Sequence, residues 1–221
     1  VWYGLDQSAD VWADEVESRG LKGIQFRLHA GGQSYVTQAP LLGRHSVHTV
    51  LAAASAALAV GMDLQHIVGV LHNLPPGLRL IVNPGINGST IIDDTYNASP
   101  ASVMAALNLL SDVSGRKIAV LADMAELGDY GPVEHEKVGG RAAQVCDLLY
   151  VLGPLSEFTV RGALAAGMSR GRVKHLASIS EGLSELRAVL RPDDVVLLKG
   201  SRAMELERLA GALSVPAQKA S

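Results

Sequence analysis

Three short polar segments interrupt the apolar stretches of this 221-residue chain, and each carries side chains able to do chemistry. The first is Asp93-Asp94-Thr95-Tyr96-Asn97-Ala98-Ser99-Pro100, in which two adjacent carboxylates precede Ser99, a suitable helix N-cap, and Pro100, suited to the first helical position. A carboxylate at a strand end can bind the vicinal hydroxyls of a ribose, and the helix N-terminus behind it offers free N–H groups to an anion. Asp94 and Asn97 would equally serve to cap and turn the backbone. The second segment, Asp123-Met124-Ala125-Glu126-Leu127-Gly128, is trailed by His135. Asp123 and Glu126 could orient a cationic amine or a metal-bound water, while a histidine placed like His135 more often sits satisfied on a helix face. The third, Lys199-Gly200-Ser201-Arg202, sets two cations and a hydroxyl together. That combination suits a carboxylate or a phosphate, or else a solvated charge pair.

These segments need elements to position them. Ile118 to Leu121, Leu148 to Leu152 and Val195 to Leu198 are continuously apolar, as strands covered on both faces of a mainly parallel sheet are. Leu78 to Val82 and Thr90 to Asp93 read as short strands of a hairpin around Asn83-Pro84-Gly85-Ile86-Asn87-Gly88. Helical patterns lie between, at Val103 to Leu110, Val133 to Val145, Glu157 to Ala166 and Ile179 to Leu190. Alternating strands and helices predict a doubly wound α/β domain, whose ligands sit outside the carboxyl ends of the strands. The three polar segments follow strands in that way.

Upstream, Ile24, Phe26 and Leu28 alternate with polar residues, and Tyr35-Val36-Thr37 follows the turn Ala30-Gly31-Gly32-Gln33, a hairpin signal. Gly43-Arg44-His45-Ser46 opens a helix reaching Ala59, and a shorter helix spans Leu64 to Leu71. Residues 1 to 19 read as the exit from a strand that lacks a preceding partner, followed by a polar helix around Ser8 to Arg19. Leu74-Pro75-Pro76-Gly77 forbids helix and marks a domain boundary.

Composition narrows the classes. Nineteen basic residues against twenty-two acidic ones, a net charge of −3, exclude an electrostatic nucleic-acid partner. The longest apolar stretch, Val50 to Met62, is shorter than a membrane span. One cysteine, Cys146, excludes an internal disulfide and a cysteine-paired zinc cluster, and the expected home is a reducing cytoplasm. None of the six lysines is followed by Ser or Thr, so the chain has no Gly-Lys-Ser or Gly-Lys-Thr phosphate loop. Neither a Gly-x-Ser-x-Gly elbow nor a His-Glu-x-x-His zinc helix is present, and no metal-ligand set is expected.

In their order, the three segments resemble the carboxyl-terminal part of the Mur ligase family, nearest to the branch with an Asp-Asp-(Ser/Thr)-Tyr-Asn-Ala-(Asn/Ser)-Pro signature. Asp123 to Gly128 is similar to that branch's Gly-Asp-Met-x-Glu-Leu-Gly loop, with Ala122 for the first glycine. Lys199 to Arg202 and Met204-Glu205 resemble its Lys-Gly-Ser-Arg and Met-Glu. Gly43 to Ala53 resembles the family's Gly-x-His-Asn-x-x-Asn-Ala-Leu-Ala-Ala helix, with Ser46 and Thr49 standing for the asparagines. Arg79 lies one residue beyond the place of the family's arginine after Pro-Gly.

The resemblance implies residues 1–75 as the second half of an ATPase central domain without its phosphate loop, and 76–221 as a Rossmann-like C-terminal domain. The chain would then be part of a longer cytoplasmic, monomeric enzyme of peptidoglycan precursor synthesis, inactive in isolation. That enzyme uses ATP and Mg²⁺ to join D-alanyl-D-alanine to UDP-N-acetylmuramoyl-tripeptide through an acyl phosphate. The implied roles are His45, Thr49, Arg79, Asp94 and Asn97 for the nucleotide, Tyr96, Ser99, Ser201 and Arg202 for substrate, and Lys199 and Asp123 for catalysis. Another Mur or folylpolyglutamate-type ligase, or a non-catalytic ligand-binding module of the same fold, is the alternative.

Overall fold

The computed structural model describes residues 1–74 and 80–215. Two compact units divide the chain into residues 1–78 and 79–221. Pro75, Pro76 and Gly77 of the expected domain boundary, together with Arg79, lie outside the described residues, as does the tail beyond Val215.

In the first unit, β1 (Tyr3–Gly4), β2 (Val11–Ser18), β3 (Ile24–Ala30) and β4 (Gln33–Ala39) form one sheet in chain order, followed by α1 (Ser46–Ala59) and α2 (Leu64–His72). The β3–β4 hairpin turns on Gly31 at φ 57 and Gly32 at φ 77, the two positive angles that a type I′ turn requires. Phe26, Leu28 and Val11 meet Val50 and Leu51 of α1 and Ile67 of α2 in a shared core. The expectation of a polar helix over Ser8 to Arg19 is corrected: most of this stretch is β2, and Tyr3–Gly4 finds its partner downstream, pairing with Val11 and Trp12. Val11 and Ala13 face the core, but a register shift between Asp14 and Glu17, with Glu15 at φ 50, breaks the alternation that marks a strand. What remains in the sequence is an acidic run that imitates a helix surface.

The second unit holds β5 (Ile81–Pro84), β6 (Thr90–Asp94), α3 (Pro100–Ser111), β7 (Lys117–Ala122), α4 (Gly131–Val145), β8 (Leu148–Leu152), α5 (Ser156–Ala165), β9 (Val173–Leu176), α6 (Ile179–Val189), β10 (Val195–Lys199) and α7 (Glu207–Leu213). Its sheet runs β5-β6-β10-β7-β8-β9, parallel throughout except for the antiparallel edge strand β5. The last strand therefore inserts between the first two parallel ones. Ile118, Val120, Val196 and Leu198 point to the face carrying α6 and α7, where Leu186, Leu209 and Leu213 are buried. Their alternating neighbours Ala119, Leu121 and Leu197 point the other way, toward the layer in which α4 packs on α3 and α5. The helices α4 and α5 cross closely, since a methyl group at Gly139 would run into the Thr159 carbonyl and one at Gly162 into that of Glu136. Two elements escaped the sequence reading. Strand β9 exposes Lys174 and His175 at the sheet edge and so lacks a continuous apolar run, and α7 spans only seven residues.

At the amino end of the sheet, Arg116 binds Asp194 through two parallel bonds, Nε to Oδ1 at 2.8 Å and Nη2 to Oδ2 at 2.6 Å, and also donates to the Val189 carbonyl. The Asp194 side chain is 1% exposed. Burial would raise its pKa, but the Arg116 guanidinium and the Arg191 amide outweigh that and hold the carboxyl below its ordinary value. A depressed carboxylate pKa stabilises the fold above the unfolded-state pKa of about 3.9 and loses that contribution as pH falls through the folded-state value. Asp194→Asn is expected to cost about 2 kcal/mol near neutral pH. In urea melts the gap to wild type should shrink as the pH is lowered toward about 2.

Candidate active site

The in-register pairing of β10 with both neighbours decides which side chains meet. Lys199 lies opposite Asp94 on one side and Leu121 on the other, so the segments following β6, β7 and β10 leave the sheet at the same end. Here the connections change sides: β6 and β7 lead into α3 and α4 on one face, while β10 leads into α7 on the other. This is the topological switch point at which open α/β sheets bind ligands.

On the β6 side, the Lys199 ammonium sits 2.6 Å from Asp94 Oδ2 and donates to the Asn97 carbonyl at 2.9 Å. Lys199 is 2% exposed. Asp93 turns back on its own loop, accepting from the Thr95 amide and hydroxyl. Ser99 caps α3 through a reciprocal bond pair with Ser102, and Pro100 is its first residue, as the sequence predicts. The Arg202 guanidinium stands over the ring of exposed Tyr96, 5.6 Å from its centroid, leaving a cation on an aromatic platform at the rim.

On the β7 side, the Asp123 carbonyl accepts from the Ser201 amide at 3.0 Å, and Ser201 Oγ accepts from the Ala125 amide at 2.7 Å. The Asp123 carboxylate accepts from the Leu155 amide through Oδ2, while its buried Oδ1 has no hydrogen-bond partner. Burial pushes the Asp123 pKa up, and the Leu155 amide only partly opposes this. His135 is buried in α4, and its two bonds define its tautomer. Nδ1 must donate to the Gly131 carbonyl, and Nε2 must accept from the Met124 amide. With that tautomer, Nε2 has no hydrogen to offer Asp123 Oδ1, 3.8 Å away. Gly153, at φ 118, leaves room for the carboxylate, since a Cβ there would lie 2.5 Å from Asp123 Cγ.

The structure thus gathers Asp94, Tyr96, Asn97, Asp123, Lys199, Ser201 and Arg202 at one sheet end, with Ser99 adjoining as the cap of α3. His45 and Thr49 belong to the first unit and lie exposed one helical turn apart, the His45 ring folded against Gly43. Ser46 Oγ is spent on the Leu42 carbonyl. Arg79 lies outside the described residues. A further contribution comes from the β8 end, where Gly153 and the Leu155 amide complete the surroundings of Asp123. The Gly153-Pro154 punctuation after an apolar run was the available signal.

Comparison with known proteins identifies the family. A family model described as "Mur ligase, glutamate ligase domain" matches residues 78–202, more than half of the chain. The chain belongs to the Mur ligase family. Among curated Mur ligases, the UDP-N-acetylmuramoyl-tripeptide--D-alanyl-D-alanine ligase of Mycobacterium tuberculosis is 34% identical over 94% of this chain and 45% of its own length. That of Bacillus subtilis is 33% identical, again over 94% of this chain and 45% of its own length. The chain therefore spans about half the length of the curated relatives it matches. MurF from Acinetobacter baumannii superposes with a TM-score of 0.82 at 30% identity, covering 95% of this chain and 45% of that one. MurF from Thermotoga maritima, solved in complex with ADP, shares the fold with a TM-score of 0.77 at 23% identity, covering 95% of this chain and 47% of that one.

Among the described residues no group of three or more His, Cys, Asp or Glu could hold a metal ion. Within the loop at Asp123, the acceptor on residue 135 is what counts: His135→Gln, which can still accept from the Met124 amide, should remain near wild-type stability. His135→Leu orphans that buried amide and should cost about 1–3 kcal/mol, read as a lower denaturation midpoint.

Proposed function

We propose that this chain supplies the C-terminal domain and the second half of the central domain of an ATP-dependent, ADP-forming ligase. Its reaction would join D-alanyl-D-alanine to UDP-N-acetylmuramoyl-tripeptide during peptidoglycan precursor synthesis in the cytoplasm. The observation that carries this reading is the convergence of the Asp94, Asp123 and Lys199 segments at one switch point, in a chain matched along 94% of its length by ligases of that name. Relatives about twice as long accord with residues 1–75 being a partial central domain.

ATP would supply the phosphoryl group that activates the tripeptide carboxylate, and the amine of the dipeptide would then displace it. What this chain contributes is orientation and charge. The turn from Asp94 to Asn97 offers carboxylate and amide chemistry to the nucleotide sugar. His45 and Thr49 offer an imidazole and a hydroxyl from α1, and Arg79 is assigned to the same nucleotide. Arg202 over Tyr96, with Ser99 and Ser201 beside it, offers a cation and hydroxyl-bearing residues to an anionic group of substrate. Asp123, in the loop after β7, is assigned to the end of the site that the incoming amine approaches. With no metal-ligating cluster among the described residues, no step is assigned to magnesium.

The test measures ATP-dependent phosphate release. The isolated 221-residue chain should release none above background with both substrates, whereas the full-length protein should do so only when both are present. In the full-length protein, Asp94→Ala should raise KM for ATP about tenfold. Turnover with glutamate but not with D-alanyl-D-alanine would replace this reading with a folylpolyglutamate-type ligase, and absence of any turnover would replace it with a binding module.

A further inference from the structure

The geometry points to Lys199 as a positioning residue rather than a group that meets the reacting atoms: its ammonium fastens the Asp94 carboxylate and the Asn97 carbonyl, and so shapes the β6–α3 turn. This rests on the reading of that turn as the nucleotide-facing one.

Three observations support it. Position 199 ends a strand whose residues Val195 to Leu198 are all buried, and Lys199 is itself only 2% exposed, so its ammonium is withdrawn from solvent. An ammonium has three donors, of which one meets Asp94 Oδ2 at 2.6 Å and another the Asn97 carbonyl at 2.9 Å. The two partners lie on either side of Thr95 and Tyr96, so one side chain spans the turn from the strand end to the residue two places before the α3 cap. Parallel register sets Lys199 directly opposite Asp94, so the ion pair forms across the ladder without displacing the backbone. A charge this deep in a sheet is tolerated only when paired, and removing one member leaves the other buried without its counter-charge. Loss of the lysine is therefore transmitted through Asp94 and the turn. Its function would be to keep that carboxylate and the exposed Tyr96 platform in one arrangement before nucleotide arrives.

A double-mutant cycle on the full-length protein tests this, with Lys199→Met, Asp94→Asn and the double variant assayed for ATP-dependent ligation. Each single change is expected to raise KM for ATP about tenfold while kcat stays within about threefold, and the double variant is expected to be no worse than the weaker single. A kcat loss of about a hundredfold or more in Lys199→Met at unchanged KM, repeated in the Asp94→Asn background, would overturn the proposal by placing Lys199 at the reacting atoms. Should Lys199→Met fail to fold, the comparison of Asp94→Asn with the double variant decides alone. Equal kinetics support the clamp, and a further fall in kcat refutes it. Hydrogen exchange of the Asp94–Ser99 peptide in the same proteins supplies a readout independent of ligation. If wild type shows no ligase activity, the ligase reading fails, yet faster exchange in the variants still upholds the clamp and unchanged exchange still sinks it.

Discussion

The constraint behind the site is the placement of a charged residue at the end of the most enclosed strand in the chain. Strand β10 has β6 on one side and β7 on the other, and four of its five residues are apolar and buried. The fifth, Lys199, must be matched there or expelled. The sheet matches it with Asp94, which stands opposite in the same ladder, and with the Asn97 carbonyl, 102 residues away in sequence. One ammonium thereby holds the Asp94 carboxylate and the Asn97 carbonyl together.

The two flanks of β10 solve the polar-burial problem differently. Toward β6 the solution is charge against charge. Toward β7 it is a set of neutral bonds, in which Ser201 both donates to and accepts from the loop after β7, and His135 in a single tautomer accepts the Met124 amide. Asp123 is the incomplete member, with one oxygen on the Leu155 amide and the other without a hydrogen-bond partner. Burial accordingly raises its pKa, which favours the proton-bearing form relative to an ordinary aspartate. The close crossing of α4 and α5, made possible by Gly139 and Gly162, bears on this chemistry because α4 carries His135.

Much of the fold was legible in the residues. The apolar runs at Ile118, Leu148 and Val195, the Gly31-Gly32 turn and the Ser99-Pro100 cap each depend on local physics, namely two-sided burial, tolerance of positive φ and a side-chain oxygen at a helix start. Elsewhere the local signal is weak or misleading. An edge strand with Lys174 and His175 turned outward shows no apolar run. A bulge at Glu15 shifts the alternation of β2 by a residue and leaves acids in a helical-looking pattern. In β2 the pairing with β1 and β3 overrides what the acidic run suggests.

Residue types alone determined that polar segments would follow parallel strands, that a cap and a turn would frame the first, and that the chain carries no phosphate loop of its own. The tertiary structure alone decided that the last strand returns to the middle of the sheet, because strand order depends on which faces the crossing helices cover and no local preference encodes it. From that return follow the pairing of Lys199 with Asp94 and the bonding of Ser201 to the Asp123 loop, whereas the part played by His135, which bonds Met124 and Gly131 nearby in sequence, is set by how α4 folds back on the β7 loop. Side chains some hundred residues apart acquire a common chemistry only when a ladder sets them in register.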